Sequence, residues 1–347
     1  MAGGDAELMQ AADALAAGWL DGPAGIVPLG EGHIHLTLLV TARAGERFVL
    51  QRINRGVFPD PARVMANLER VLAHFARQAP ELLPVLLRTR DGDAAFVDRS
   101  GEWWRLWRHV DDARALARST DPDLCEAAGR AFGRFQRILA DLPGGALPPT
   151  IPGFLELAGY LDAFDAAGRG NGSADRALAE ACGGMAFIDA RRDLAQQFPP
   201  GDDLIHGDCK LNNLLFDAHA PSVRAVLDLD TVMTGHWAWD FGDLARSALA
   251  GTLSAEAAAP ALAALTRGFA DGSGRVLTPA TVAGAPVYVA FMLGVRFLTD
   301  HLLGDRYFRV SHTGENLSRA RTQFELVRLL ESIPAPADAL APAATRE

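Results

Sequence analysis

The stretch that decides the fold is Ile205-His206-Gly207-Asp208-Cys209-Lys210-Leu211-Asn212-Asn213-Leu214-Leu215-Phe216. Apolar flanks enclose a polar loop in which His, Asp, Lys and Asn sit at fixed offsets. Downstream, Ala225-Val226-Leu227-Asp228-Leu229-Asp230-Thr231 reads as a strand that ends in carboxylates. Between Asn213 and Asp228 there is room for a short strand, a turn and a second strand. Either loop alone would pass as a polar turn beside a buried hairpin. Together, in this order, they hold the parts that phosphoryl transfer needs. These are a carboxylate to orient an attacking hydroxyl and take its proton, oxygen ligands for magnesium on the phosphates, and positive charge on the transferred group.

The spacing matches the catalytic loop of protein kinases, in which Asp is followed by Lys and then Asn at these offsets. Asp208 is the candidate base. Lys210, a compact cation, is placed to contact the γ-phosphate. Asn213 and Asp228 are hard oxygen ligands for magnesium. Asp230 is either a further metal ligand or a carboxylate behind the ligands.

Working outward, the chain has 347 residues, 49% hydrophobic and 22% charged, with a net charge of -10. That composition excludes a disordered or collagen-like chain, and the length allows two domains or one two-lobed one. The acidic balance argues against a nucleic-acid partner. Cys125, Cys182 and Cys209 form neither a disulfide framework nor a zinc pattern, which predicts a reducing, cytoplasmic setting. Of 33 basic residues only Lys210 is a lysine, so any chemistry that needs lysine falls to it. The start carries Asp5 and Glu7 and reads as an amphipathic helix rather than a secretory signal. The uncharged run from Val276 to Val295 is interrupted by Pro and Gly and reads as a buried helix rather than a membrane span.

The expected organisation is α+β. A small strand-rich lobe over 1–108 carries strands near Ile26–Leu29, Leu36–Thr41, Arg47–Asn54, Ala94–Asp98 and Trp103–Val110, with a helix from about Pro61 to Ala76. A large, mainly helical lobe over 109–332 holds helices near 121–140, 154–167, 175–197, 237–250, 254–271, 280–303 and 313–332. The strands around the two polar loops sit inside it. A disordered tail is expected over 333–347.

At this point the chain resembles the aminoglycoside phosphotransferase/choline kinase superfamily, and within it the N-acetylhexosamine 1-kinase group. The likeness runs over about residues 24 to 330. Besides the two loops, it rests on Gly32-His33-Ile34-His35, Phe48-Val49-Leu50-Gln51-Arg52-Ile53-Asn54, Trp104-Arg105, Trp239-Asp240-Phe241-Gly242-Asp243 and Arg296-Phe297-Leu298-Thr299-Asp300 through Tyr307-Phe308. The resemblance implies a bilobal protein-kinase-like fold with ATP and Mg2+ between the lobes. The nucleotide would meet Gly32, the third-strand residue, Asn213 and Asp228. It implies transfer of the γ-phosphate to the anomeric O1 of N-acetylglucosamine or N-acetylgalactosamine. A small-molecule substrate and a monomer or weak dimer are expected. The sugar pocket of such enzymes draws on residues matching His33, Asp208, Phe241, Arg296 and Tyr307.

Each of these has a plainer alternative. His33 is then only a turn residue, Arg296 pairs with Asp300, and Tyr307 and Phe241 are core. Asp243 is assigned to structure, bonding the catalytic loop or capping a helix. Trp103, Trp104 and Trp107 pack beside the hinge or cover adenine. Three departures bear on function. The third-strand lysine of most such kinases is absent, and the position falls at Gln51 or Arg52, which alternation puts on opposite faces. His35 stands where the group usually has Asn. Leu155 stands where it has His in the segment Ile151-Pro152-Gly153-Phe154. Rival readings are a kinase of another amino sugar or of an aminoglycoside, and a pseudokinase that binds nucleotide without turnover.

Overall fold

Alternating apolar residues in Leu36–Thr41 and Arg47–Arg52 give each strand one face to bury, and they pair in antiparallel register with Leu38 opposite Leu50. The structure, a computed structural model, describes residues 2–20, 22–23, 25–30, 34–170 and 183–336. The chain divides into two units, Met1–Ala113 and Arg114–Glu347.

The first unit opens with helix α1 (Ala2–Gly18). Its sheet runs β1 (Gly25–Pro28), β2 (Leu36–Thr41), β3 (Arg47–Arg52), β6 (Trp103–Arg108) and β4 (Leu86–Leu87) in spatial order, and β5 (Phe96–Val97) pairs with β6. Leu38, Val40, Phe48, Leu50, Trp104 and Leu106 cover one face and pack on Ala11, Ala14 and Leu15 of α1. Each large side chain buried this way contributes about 1.5–3 kcal/mol. Asp98 locks the helix to the sheet by accepting from Gln10 Nε2 (3.0 Å) and Trp104 Nε1 (2.9 Å). Helix α2 (Pro61–Gln78) starts where Asp60 accepts the Arg63 N–H at 3.1 Å, with proline at its first position.

The second unit is mostly helical. Its helices are α3 (Pro122–Ala140), α4 (Leu157–Gly170), α5 (Gly184–Asp189), α6 (Trp237–Ala248), α7 (Ala255–Ser273), α8 (Pro279–Leu302) and α9 (Glu315–Ser332). Two small antiparallel ladders lie among them. Strand β7 (Asp203–Ile205) pairs with β10 (Met233–Gly235), and β8 (Leu214–Asp217) pairs with β9 (Val223–Val226). Helices α3 and α7 approach backbone to backbone through glycines. A Cβ on Gly268 would stand 2.0 Å from the Glu126 carbonyl oxygen.

Helix α8 is long and apolar enough to cross a membrane by composition alone, yet 67% of that apolar window is buried inside the protein. The sequence expectation of one helix over 175–197 needs correction. Residues 171–182 lie outside the described part, and beyond them stand the short α5 and a separate 3₁₀ turn, Arg192–Gln196. Gly183, at φ +66°, breaks the helical path just before α5. Most of the expected disordered tail, residues 337–347, also lies outside the described residues.

Candidate active site

The β7–β10 and β8–β9 ladders have a shared consequence. The loop leaving β7 carries residues 206–213 and the loop leaving β9 carries residues 227–231, so the two run side by side. The Leu227 N–H donates to the Asn213 carbonyl at 2.8 Å. His206 joins them a second time. Its Nδ1 accepts the Asp208 N–H at 3.2 Å, which leaves the proton on Nε2 to bond the Leu227 carbonyl at 2.8 Å. Thr231 Oγ1 donates to the His206 carbonyl at 3.0 Å. Gly207, at φ +82°, lies against the Thr231 carbonyl so closely that a Cβ would sit 2.6 Å from it. Only glycine fits.

Asp240 on α6 anchors the loop. It is 1% exposed, and it accepts from the His206 N–H (2.8 Å), the Gly207 N–H (2.8 Å) and Gln136 Nε2 (2.7 Å). The sequence reading assigned Asp243, one turn further along the same helix, to bonding the catalytic loop or capping a helix. Instead Asp243 forms a buried ion pair with Arg246 at 2.7 Å. Burial pushes the Asp243 carboxyl above its usual value, opposed by Arg246 and reinforced by the Asp208 charge. Removing a buried acceptor strands its donors at about 1–3 kcal/mol each. Asp240→Ala is therefore expected to cost on the order of 2–5 kcal/mol in stability. Urea unfolding checks it, and an unchanged midpoint would show that the anchor is dispensable.

Asp208 stands at the mouth of this loop with its side chain 17% exposed. Its Oδ2 meets Lys210 Nζ at 2.9 Å and accepts from Asn213 Nδ2 at 2.9 Å. Burial works to raise its pKa, but the Lys210 charge and hydrogen bond, with Asn213, prevail and hold the carboxyl below its ordinary value. The same pairing, aided by Asp228, raises Lys210 well above its ordinary value. At neutral pH Asp208 is thus ionised and Lys210 charged. Oδ1 is the carboxylate oxygen left to take a proton.

The residues assigned to magnesium suit it. The Asn213 amide nitrogen is spent on the Asp208 carbonyl (2.8 Å) and carboxylate, so its side-chain oxygen is the atom it can offer a cation. Asp228 and Asp230 bring one carboxylate oxygen each within 4.8 Å of one another. Asp228 holds a left-handed backbone, φ +59°, uncommon for a residue with a side chain and a mark of functional loops. All are hard oxygen donors of the kind magnesium prefers.

Other expected site residues fall elsewhere. Gly32 and His33 lie outside the described residues. Their neighbour His35 stacks on Phe58 (5.3 Å) and accepts the Asn54 N–H at 3.1 Å. Phe241 is fully buried, edge-on to Phe269 at 5.4 Å, so the structure makes it core where a sugar contact was expected. Leu155 is also buried, at φ +67°, with its carbonyl accepting from the Tyr288 hydroxyl at 3.0 Å. Trp104 belongs to the core against α1. Gln51 and Arg52 do occupy opposite faces. Arg52 lies on the α1 side, paired with Glu7 at 3.1 Å and bonded to Gln10 at 2.8 Å. Gln51 lies on the other side and accepts from Arg105 Nε (3.1 Å) and Trp107 Nε1 (3.0 Å).

Arg296 and Tyr307 do come together, at a pocket of about 230 Å³ also lined by Ile151, Tyr160, Asp300 and Phe308. The Arg296 guanidinium lies over four rings, those of Tyr160 (4.9 Å), Phe308 (5.3 Å), Tyr307 (5.5 Å) and Phe154 (5.6 Å). The expected alternative, pairing with Asp300, does not form. Asp300 instead accepts the backbone N–H groups of Arg306, Tyr307 and Phe308 and the Asn316 amide, all at 2.8–2.9 Å. Sequence reasoning missed Tyr160, although its place one turn into α4, beyond Phe154, was the available signal.

Solved structures share this fold. The chain superposes on an amicoumacin kinase in complex with AMP-PNP, Ca2+ and Ami with a TM-score of 0.65, at 14% identity over 95% of each chain. A microcompartment-associated aminopropanol kinase gives 0.65 at 19% identity over 93% of this chain and 96% of that one. A spectinomycin phosphotransferase with ADP and spectinomycin gives 0.62 at 10% identity over 93% and 97%. At such identities the likeness speaks for the fold. The sequence itself goes further: residues 25–277, which contain both polar loops and α6, match the phosphotransferase enzyme family (APH), and the chain belongs to that family.

Proposed function

We propose that this phosphotransferase moves the γ-phosphate of ATP, with Mg2+, to the anomeric O1 of an N-acetylhexosamine. The observation that carries the acceptor class is the Arg296 pocket. Tyr160, Tyr307 and Phe308 give its wall aromatic faces, which suit the apolar face of a sugar ring, and its cationic group is the Arg296 guanidinium. The one carboxylate in the lining, Asp300, is occupied by four donors. A polycationic acceptor would therefore meet Arg296 with no acid to receive it. A neutral sugar with hydroxyl and N-acetyl oxygens offers the acceptors that a guanidinium needs.

Asp208 orients the acceptor hydroxyl and takes its proton on Oδ1. Lys210 keeps Asp208 ionised and sets a positive charge beside it. Magnesium held by Asn213, Asp228 and Asp230 would neutralise charge on the phosphates. Asp240 keeps the loop in register while this happens.

The test is ADP release with ATP and Mg2+ over a panel of N-acetylglucosamine, N-acetylgalactosamine, glucosamine, glucose, galactose and two aminoglycosides. Phosphorus NMR locates the phosphate. An N-acetylhexosamine 1-phosphate is the expected product. Turnover of the aminoglycosides alone would discard the sugar assignment and keep the kinase. ADP binding with no turnover on any acceptor would leave a pseudokinase.

A further inference from the structure

The Arg296 pocket depends on a stretch of chain that burial does not hold. Rings alone keep Arg296 in place. Among the described residues no group accepts a hydrogen bond from its guanidinium, which lies 4.9 to 5.6 Å from four ring centroids. Two of these rings, Phe154 and Tyr160, stand before and within α4. The other two, Tyr307 and Phe308, follow α8, and Tyr307 is 54% exposed. Little apolar burial is available to fix such a ring. A guanidinium stacked on aromatic faces takes its direction from them. The place of residues 307 and 308 therefore decides where the Arg296 N–H donors point.

A side chain on α8 sets that place. The chain turns back after the helix through Gly304 and Asp305, both left-handed at φ +84° and +56°. The Asp305 N–H donates to the Asp300 carbonyl at 2.8 Å. The chain then passes over the Asp300 carboxylate. Oδ1 accepts the N–H groups of Arg306 (2.9 Å) and Tyr307 (2.8 Å), and Oδ2 accepts that of Phe308 (2.9 Å) and Asn316 Nδ2 (2.9 Å). Three consecutive backbone donors thus converge on one carboxylate that is 4% exposed. Hydrogen bonds to an ionised acceptor are roughly twice as strong as neutral ones. The fully buried Asn316 also donates from Nδ2 to Asp305 Oδ1 at 2.8 Å. Arg319 on α9 donates to Asn316 Oδ1 at 3.2 Å and to the Arg309 carbonyl at 3.1 Å. Residues 304–309 form a strap tied at Asp300, Asn316 and Arg319, and its two rings lie against Arg296.

Resting on the proposed acceptor site, we infer that Asp300 is a positioning residue for acceptor binding. By holding the strap it places Tyr307 and Phe308, and these rings aim the Arg296 guanidinium at the acceptor. Asp300 acts through the strap rather than by its own contact with the acceptor.

Steady-state kinetics on the full chain, with ATP, Mg2+ and the acceptor that turns over, test this. Asp300→Asn keeps the shape and trades one accepting oxygen for an amide that cannot accept. It is expected to raise KM for the acceptor about tenfold or more, with KM for ATP and kcat at saturating acceptor within about twofold. Loss of folded enzyme alone would lower the apparent kcat and leave the acceptor KM unchanged, and that result overturns the inference. A mutant cycle separates placement from contact. In a background of Tyr307→Ala with Phe308→Ala, adding Asp300→Asn should move the acceptor KM less than about twofold. An undiminished loss in that background would show that Asp300 acts by another route and would also overturn it. If Asp300→Asn does not fold, Arg319→Gln loosens the same strap from the α9 side. A raised acceptor KM with unchanged ATP KM then supports the inference, and an unchanged acceptor KM ends it. Turnover of an acceptor other than an N-acetylhexosamine ends the sugar reading, and the same KM comparison with that acceptor decides this inference. No turnover on any acceptor ends both.

Discussion

Asp208→Asn lowers kcat by about 10² to 10⁴, the usual range for losing a general base. The change keeps the volume and one carbonyl oxygen, so the loop, which hangs from Asp240 rather than from Asp208, stays in place. It removes the charge that Lys210 and Asn213 hold at Oδ2 and the oxygen that takes the proton. Steady-state kinetics with a thermal melt as control checks it, and a folded variant with near wild-type kcat would sink the assignment. The pH profile gives a second reading. The Asp208 carboxyl is held below its ordinary value, so it remains ionised throughout the neutral range. As pH falls, its protonation should cut kcat/KM only below about pH 4, the ordinary Asp range. A limb breaking near pH 6–7 would point to a histidine instead.

Asp228→Ala is expected to abolish Mg2+-dependent turnover. The carboxylate leads a strained loop, lies close to Asp230 and follows the Leu227–Asn213 hydrogen bond that aligns both metal-facing loops. Losing one hard ligand from a set of three leaves the phosphates without a fixed counter-charge. The left-handed backbone costs an alanine roughly 1–2 kcal/mol. Asp228→Asn is therefore the companion variant, since asparagine tolerates that region and loses only the charge. Mn2+ titration followed by electron paramagnetic resonance reads the site directly. Wild-type Mn2+ affinity and unchanged Mg2+ dependence in both variants would remove Asp228 from the ligand set.

Much of this was legible in the residues. The offsets among His206, Asp208, Lys210 and Asn213 are local, and local spacing survives any packing. The hairpin to Asp228 was readable for the same reason, as were the antiparallel strands of the first unit, whose apolar alternation dictates which face is buried. A chain with a single lysine, placed in the catalytic loop, has none left for its third strand, so composition alone marks that charge as missing.

What the tertiary structure decided were choices between equivalent neighbours. Asp240 and Asp243 lie one turn apart on α6, and only the placement of the β7 loop made the first the anchor and gave the second to Arg246. Arg296 and Asp300 have the spacing of a helical ion pair, yet backbone N–H groups from the chain after α8 claimed the carboxylate and left the guanidinium to four aromatic rings. Phe241 sits in a motif that reads as functional, and packing against α7 made it core. The choice between Gln51 and Arg52 hung on which face α1 covers. The physical reason is common to all four. A sequence specifies which groups can pair within a turn or a strand, but burial and competing donors from distant segments determine which pair forms.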